Sequence, residues 1–104
     1  MKTSELTDAA LDWAVEECEG RDFPSADAFC GIFNPSTNWA QGGPIIEREE
    51  ISVNWANGQW EAHTVNEQDE YDQIKYGPTP LIAAMRCYVA AKWNDEVEIP
   101  EELK

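Results

Sequence analysis

Residues Gly77 to Trp93 read G-P-T-P-L-I-A-A-M-R-C-Y-V-A-A-K-W, a helix start whose free backbone N–H groups follow a Gly-Pro turn. Thr79 is a good N-cap, and Pro80 suits the first helical position because its missing N–H would have no partner there. Such a helix end carries partial positive charge, and Arg86 lies two turns further in. A helical side chain leans toward its own N-terminus, so Arg86 is expected to reach back toward the start of its helix. The chemistry on offer is the seating of an anion.

A second Gly-Pro turn, Gly42-Gly43-Pro44, follows Trp39 and Gln41. Glycine lets a backbone approach a ligand closely, and proline stiffens that approach. Of seven basic residues, Arg48, Lys75 and Arg86 lie within or near these two segments. Trp39 is suited to stack on a base or other flat ring, and Gln41 to hydrogen-bond its edge. The candidate ligand site is therefore Trp39, Gln41, Gly42, Gly43, Arg48, Gly77, Thr79 and Arg86. A purely structural explanation competes with it: Arg86 pairs with an acidic neighbour, and the Gly-Pro units only shape turns.

Catalysis is not expected. No Ser-His-Asp or Cys-His set has a recognisable local signature, and there is neither a Walker loop nor a dinucleotide fingerprint. Carboxylates are so abundant that any pair of them carries no information. His63 reads as an exposed or satisfied histidine on a strand beside Glu61, facing the side opposite Trp60. Cys18, Cys30 and Cys87 include no C-x-x-C pair. A zinc site from these three and His63 would lack the close ligand pairs of structural zinc, so buried, reduced thiols and no cofactor are expected.

The formal charge is −14, which repels duplex DNA and anionic membranes, so direct binding to either is not expected. The acid either solubilises the chain or presents a surface to a basic partner. No run of about 18 apolar residues is present to span a membrane. The opening M-K-T-S-E-L-T-D lacks the apolar region of a signal peptide, which points to a cytoplasmic protein. The 104 residues suit a single domain with one modest core and an acidic C-terminal tail over about 95–104.

The elements that must position the site follow from periodicity and turn chemistry. Leu6, Ala10, Trp13, Ala14 and Cys18 recur at helical spacing over about 7–19, with Thr7 as N-cap and Gly20 as the stop. Residues 21–43 carry many glycines and prolines among aromatics and are expected to form an ordered, mostly irregular loop, with a short helical turn after Ser25. Ile51, Val53 and Trp55 alternate with polar residues, and Asn57-Gly58 is the preferred type I′ hairpin turn. That turn sets Trp55 opposite Trp60 in a hairpin over about 51–65. Ile45 and Ile46 are expected to add a short strand, and residues 66–73 a loop or poor short helix. A final helix spans about 80–93, with Leu81, Ile82, Met85, Tyr88 and Val89 on its core face. Trp13, Trp55 and Trp60 read as core or sheet-face residues. The expected fold class is α+β: a small antiparallel sheet packed against two main helices.

Three segments together resemble the NinX family of tailed-phage and prophage proteins. They are E-L-T-D-A-A-L-D-W-A-V in the opening helix, S-T-N-W-A-Q-G-G-P-I-I-E from Ser36 to Glu47, and G-P-T-P-L-I-A-A-M-R-C-Y-V with the acidic ending. The likeness covers most of the chain and is weakest around residues 61–73. It implies a phage-encoded accessory protein made inside a bacterial cell, and it supplies no catalytic residues to carry over.

Two functions follow as expectations. The first is a non-enzymatic binder that sequesters a small anionic or nucleotide-like molecule, such as a host antiviral-defence signal. In it, Thr79 and Arg86 hold phosphate while Trp39 and Gln41 hold the ring. A homo-oligomer would suit this role, because a domain this small encloses a ligand more easily between subunits. The alternative is an acidic antagonist, or nucleic-acid mimic, that occupies a basic host protein. Its acids are dispersed along the chain rather than gathered in one stripe, which favours the first.

Overall fold

Helix α3 (Pro80–Trp93) is built from small and apolar residues, and eight of its positions are buried: Leu81, Ala83, Ala84, Met85, Cys87, Tyr88, Val89 and Ala90. A helix apolar on most of its circumference belongs in the middle of a protein rather than on its surface. In the computed structural model α3 packs against α1 (Asp8–Cys18), α2 (Trp39–Arg48) and strands β1 (Ser52–Ala56), β2 (Gln59–Val65) and β3 (Tyr71–Gly77). The residues described are 2, 5, 6, 8–19, 34–65 and 71–93. The proposed Thr7 cap, the Gly20 stop, residues 21–33 of the expected 21–43 loop, Cys30 and the acidic tail lie outside them, and residues 39–43 of that loop are the start of α2 rather than irregular chain.

The three strands form an antiparallel sheet in the order β1-β2-β3. Asn57 and Gly58 both have positive φ, 54° and 82°, as a type I′ turn requires. The register follows from that turn, with Trp55 opposite Trp60 and their rings 5.4 Å apart, edge to face. Ala62 faces the core from the middle strand and is fully buried. In α1, Leu11, Ala14 and Val15 join Leu6 in the core. Trp13 packs against it and meets Trp93 at 6.1 Å.

Two expectations are corrected. Ile45 and Ile46 lie in helix α2, not in a strand, although Gly42, Gly43 and Pro44 all weaken a helix. Caps at both ends hold it. The Asn38 side chain accepts the Ala40 N–H at 2.9 Å. At the other end Ile51 N–H reaches Ile46 O at 3.0 Å and Glu50 N–H reaches Glu47 O at 3.2 Å, a Schellman motif. Gly42 also has a packing reason, since a Cβ there would lie 2.5 Å from Pro35 O and 2.6 Å from Leu81 Cδ2. The third strand is instead β3, so residues 71–73 are extended rather than loop or helix. Pairing with β2 and packing on α3 override their weak local pattern.

The ends of the three helices are tied by one polar cluster. Arg48 Nη1 and Nη2 donate to the two Glu19 carboxylate oxygens at 3.0 and 2.5 Å, a bidentate pair. Its Nε donates to Glu49 at 2.9 Å, and Lys92 lies 3.7 Å from the same carboxylate. The Tyr88 hydroxyl also donates to Glu19, and Arg48 and Lys92 each sit 5.8 Å from the Tyr88 ring centroid. Burial works to raise the Glu19 pKa, but bonds from Arg48 and Tyr88 and the charges of Arg48 and Lys92 outweigh it. The carboxyl therefore stands below its usual 4.5.

A carboxyl with a depressed native pKa contributes stability above its unfolded value and loses it as pH falls through the native one. Glu19→Gln is therefore expected to lower stability by about 1–3 kcal/mol at pH 7. The gap to wild type should narrow as the pH drops below 4.5, measured by urea unfolding across pH. A second test uses Glu50, which holds the left-handed position of the Schellman motif at φ 54°. Glu50→Gly is expected to stabilise the protein by about 1 kcal/mol, read as a rise in urea midpoint.

Candidate functional site

The link from β3 into α3 separates two surface clefts. Thr79 caps the helix: its Oγ1 accepts the Ile82 N–H and its carbonyl the Ala83 N–H, both at 3.1 Å. Gly77 ends β3 so close to α3 that a Cβ would lie 2.8 Å from Ala83 N. The residue must be glycine for the strand to feed the helix this tightly.

The larger cleft, about 610 Å³, is lined by Lys75, Tyr76, Gly77, Pro78, Arg86 and Gln59 among others. Among the described residues that line it, none carries a carboxylate. Arg86 is half-buried there, donating through Nε to Leu6 O at 2.9 Å and through Nη1 to Tyr76 O at 2.7 Å. Those bonds fix its plane and leave its other N–H groups for a further acceptor. Burial holds the guanidinium below its usual pKa, and no described carboxylate forms a salt bridge with it. Tyr76 is 43% exposed beside it and offers a ring.

The smaller cleft, about 210 Å³, lies on the other side of the link and is lined by Ser36, Thr37, Trp39, Thr79, Pro80 and Ile82, with Leu81 beneath. Trp39 is 56% exposed. Its neutral donors and indole face suit an uncharged, flat group better than a strong anion.

The predicted residues therefore divide. Gly77 and Arg86 meet in the larger cleft, and Trp39 and Thr79 in the smaller. Gln41 lines neither. It is buried, and its Oε1 accepts the Asn34 N–H at 2.5 Å, fastening the turn before α2. Gly42 is enclosed by Pro35 and Leu81, and Gly43 lies under the Trp39 ring. Arg48 belongs to the polar cluster at the helix ends.

Tyr76 and Ser36 were not singled out from sequence. Tyr76 directly precedes the Gly-Pro turn, and Ser36 precedes the Asn38 cap, so proximity to those signals would have found them. His63 lies 3.7 Å from Glu61 on the sheet. Cys87 is buried, and burial first of all pushes the half-buried Cys18 thiol up to about 12, far from a reactive thiolate.

No helix among the described residues is long and apolar enough to cross a membrane. No curated protein sequence matches the chain. The family model described as Bacteriophage P22, NinX matches residues 2–92, a span that holds α1, α2, the sheet, both clefts and nearly all of α3. With that match over most of its length, the chain belongs to the phage P22 NinX family.

Proposed function

We propose that this phage accessory protein acts in the host bacterial cytoplasm as a non-enzymatic binder of a small anionic, nucleotide-like molecule. Sequestering such a molecule would disarm a host defence signal. One observation carries the reading. In a chain of charge −14, Arg86 is half-buried in a cleft whose described lining residues include no carboxylate, and its described bonds go only to backbone carbonyls. Burying a cation without a counter-charge is unfavourable, and a bound anion removes that penalty. Lys75 lines the same cleft and adds a second positive charge. Arg48 supplies the contrast, since its guanidinium is already satisfied by Glu19 and Glu49.

Calorimetry against cyclic and ADP-ribose-type nucleotides tests this. Arg86→Gln is expected to weaken binding by about 10- to 100-fold, as the loss of a charge-assisted bond implies. Arg86 also braces the fold, so Lys75→Gln, which spares the bonds to Leu6 and Tyr76, should weaken binding several-fold in protein that thermal melting shows to be folded. Flat traces across the panel would refute the proposal.

A further inference from the structure

The smaller cleft holds two helix starts and a buried hydroxyl with no partner. In α3, Pro80 has no N–H, and Thr79 satisfies those of Ile82 and Ala83, which leaves the N–H of Leu81. In α2, Asn38 satisfies Ala40, Gln41 and Gly42, which leaves the N–H of Trp39. Both residues line this cleft. Ser36 lines it too, is 1% exposed, and its Oγ has no hydrogen-bond partner. Its backbone N–H is held separately, by Asp12 at 2.9 Å. Buried hydroxyls are normally paired, so an unpaired one at two helix starts signals an acceptor still to come.

We infer that the smaller cleft is a ring subsite: it takes a planar heteroaromatic group stacked on Trp39, whose acceptor edge meets Ser36 Oγ and the Leu81 N–H. None of its described lining residues is charged, which suits a neutral ring better than a phosphate. A volume of about 210 Å³ suits one ring system and not a whole ligand, which typically needs about 300–1,000 Å³. Resting on the anion reading above, the ligand straddles the 77–80 link with its charged end at Arg86 and its base at Trp39. The captured molecule is then a nucleotide rather than a simple phosphate ester.

The test is a 1H–15N NMR titration with three probes: uncharged nucleosides, ribose 5-phosphate, and the matching nucleoside 5′-phosphates. Nucleosides should shift the Trp39 indole and the Leu81 amide and spare Lys75. Ribose 5-phosphate should shift the Arg86 Nε–H and Lys75. Nucleotides should shift both sets and bind at least about tenfold tighter than either half, as linked subsites do. Trp39→Ala should lower nucleotide affinity about tenfold or more. Ser36→Ala should lower it about three- to tenfold while the melting temperature holds or rises, a pattern that a structural serine would not give. Ribose 5-phosphate shifts without any response at Trp39 and Leu81 would overturn the ring subsite and leave the anion reading standing. Ring shifts without a response at Arg86 and Lys75 would do the reverse. An unchanged nucleotide affinity in Trp39→Ala would also overturn the inference.

Discussion

The burial of most of α3 is the constraint on which the rest of the structure depends. Ala83, Ala84, Cys87 and Ala90 keep the helix slender, so the sheet and both other helices can close upon it. Gly77 carries this to its limit, because a single methyl group there would collide with the α3 backbone. The residues of this tight strand-to-helix step line both clefts, Gly77 and Pro78 the larger and Thr79 and Pro80 the smaller. Packing inside the protein thus dictates the relief of its surface.

The two arginines at the heart of the structure show how differently one residue type can be used. Arg48 stands at the end of α2 and is saturated by carboxylates from α1 and the helix cap, with Tyr88 and Lys92 completing the cluster. It binds three helices to one another. Arg86 is anchored by main-chain oxygens alone. A guanidinium fixed by neutral acceptors keeps its full charge directed outward while its geometry is set in advance. Preorganisation of that kind reduces the ordering a ligand must bring about.

Local signals made α1, α3 and the hairpin legible in the sequence. Asn57-Gly58 states its own turn type, and Thr79-Pro80 states its own helix start, whatever the rest of the chain does. Helix α2 was not legible, because Gly42-Gly43-Pro44 argues against a helix and only the caps and the tight fit against Pro35 and Leu81 favour one. Strand β3 was hidden for a different reason. Its extended form rests on β2 and α3, and Y-D-Q-I-K-Y-G has little alternation of its own. The site was legible as a region but not in its partition. Helical geometry brings Arg86 back beside Gly77 and Pro78, whereas the division of these residues from Thr79 and Trp39 into two clefts is a product of tertiary packing. The burial of Gln41 is not legible either, because a buried amide and an exposed one look alike in sequence.

The hydrogen bond from Arg86 to the Tyr76 carbonyl has a meaning for self-association. Strand β3 is one of the two edge strands of the three-stranded sheet, and unpaired main-chain groups at an edge invite a foreign strand. A cation seated on one of those oxygens, with Pro78 just beyond and Lys75 alongside, makes that margin a poor template. A second copy pairing along β3 would first have to displace Arg86 from the Tyr76 carbonyl.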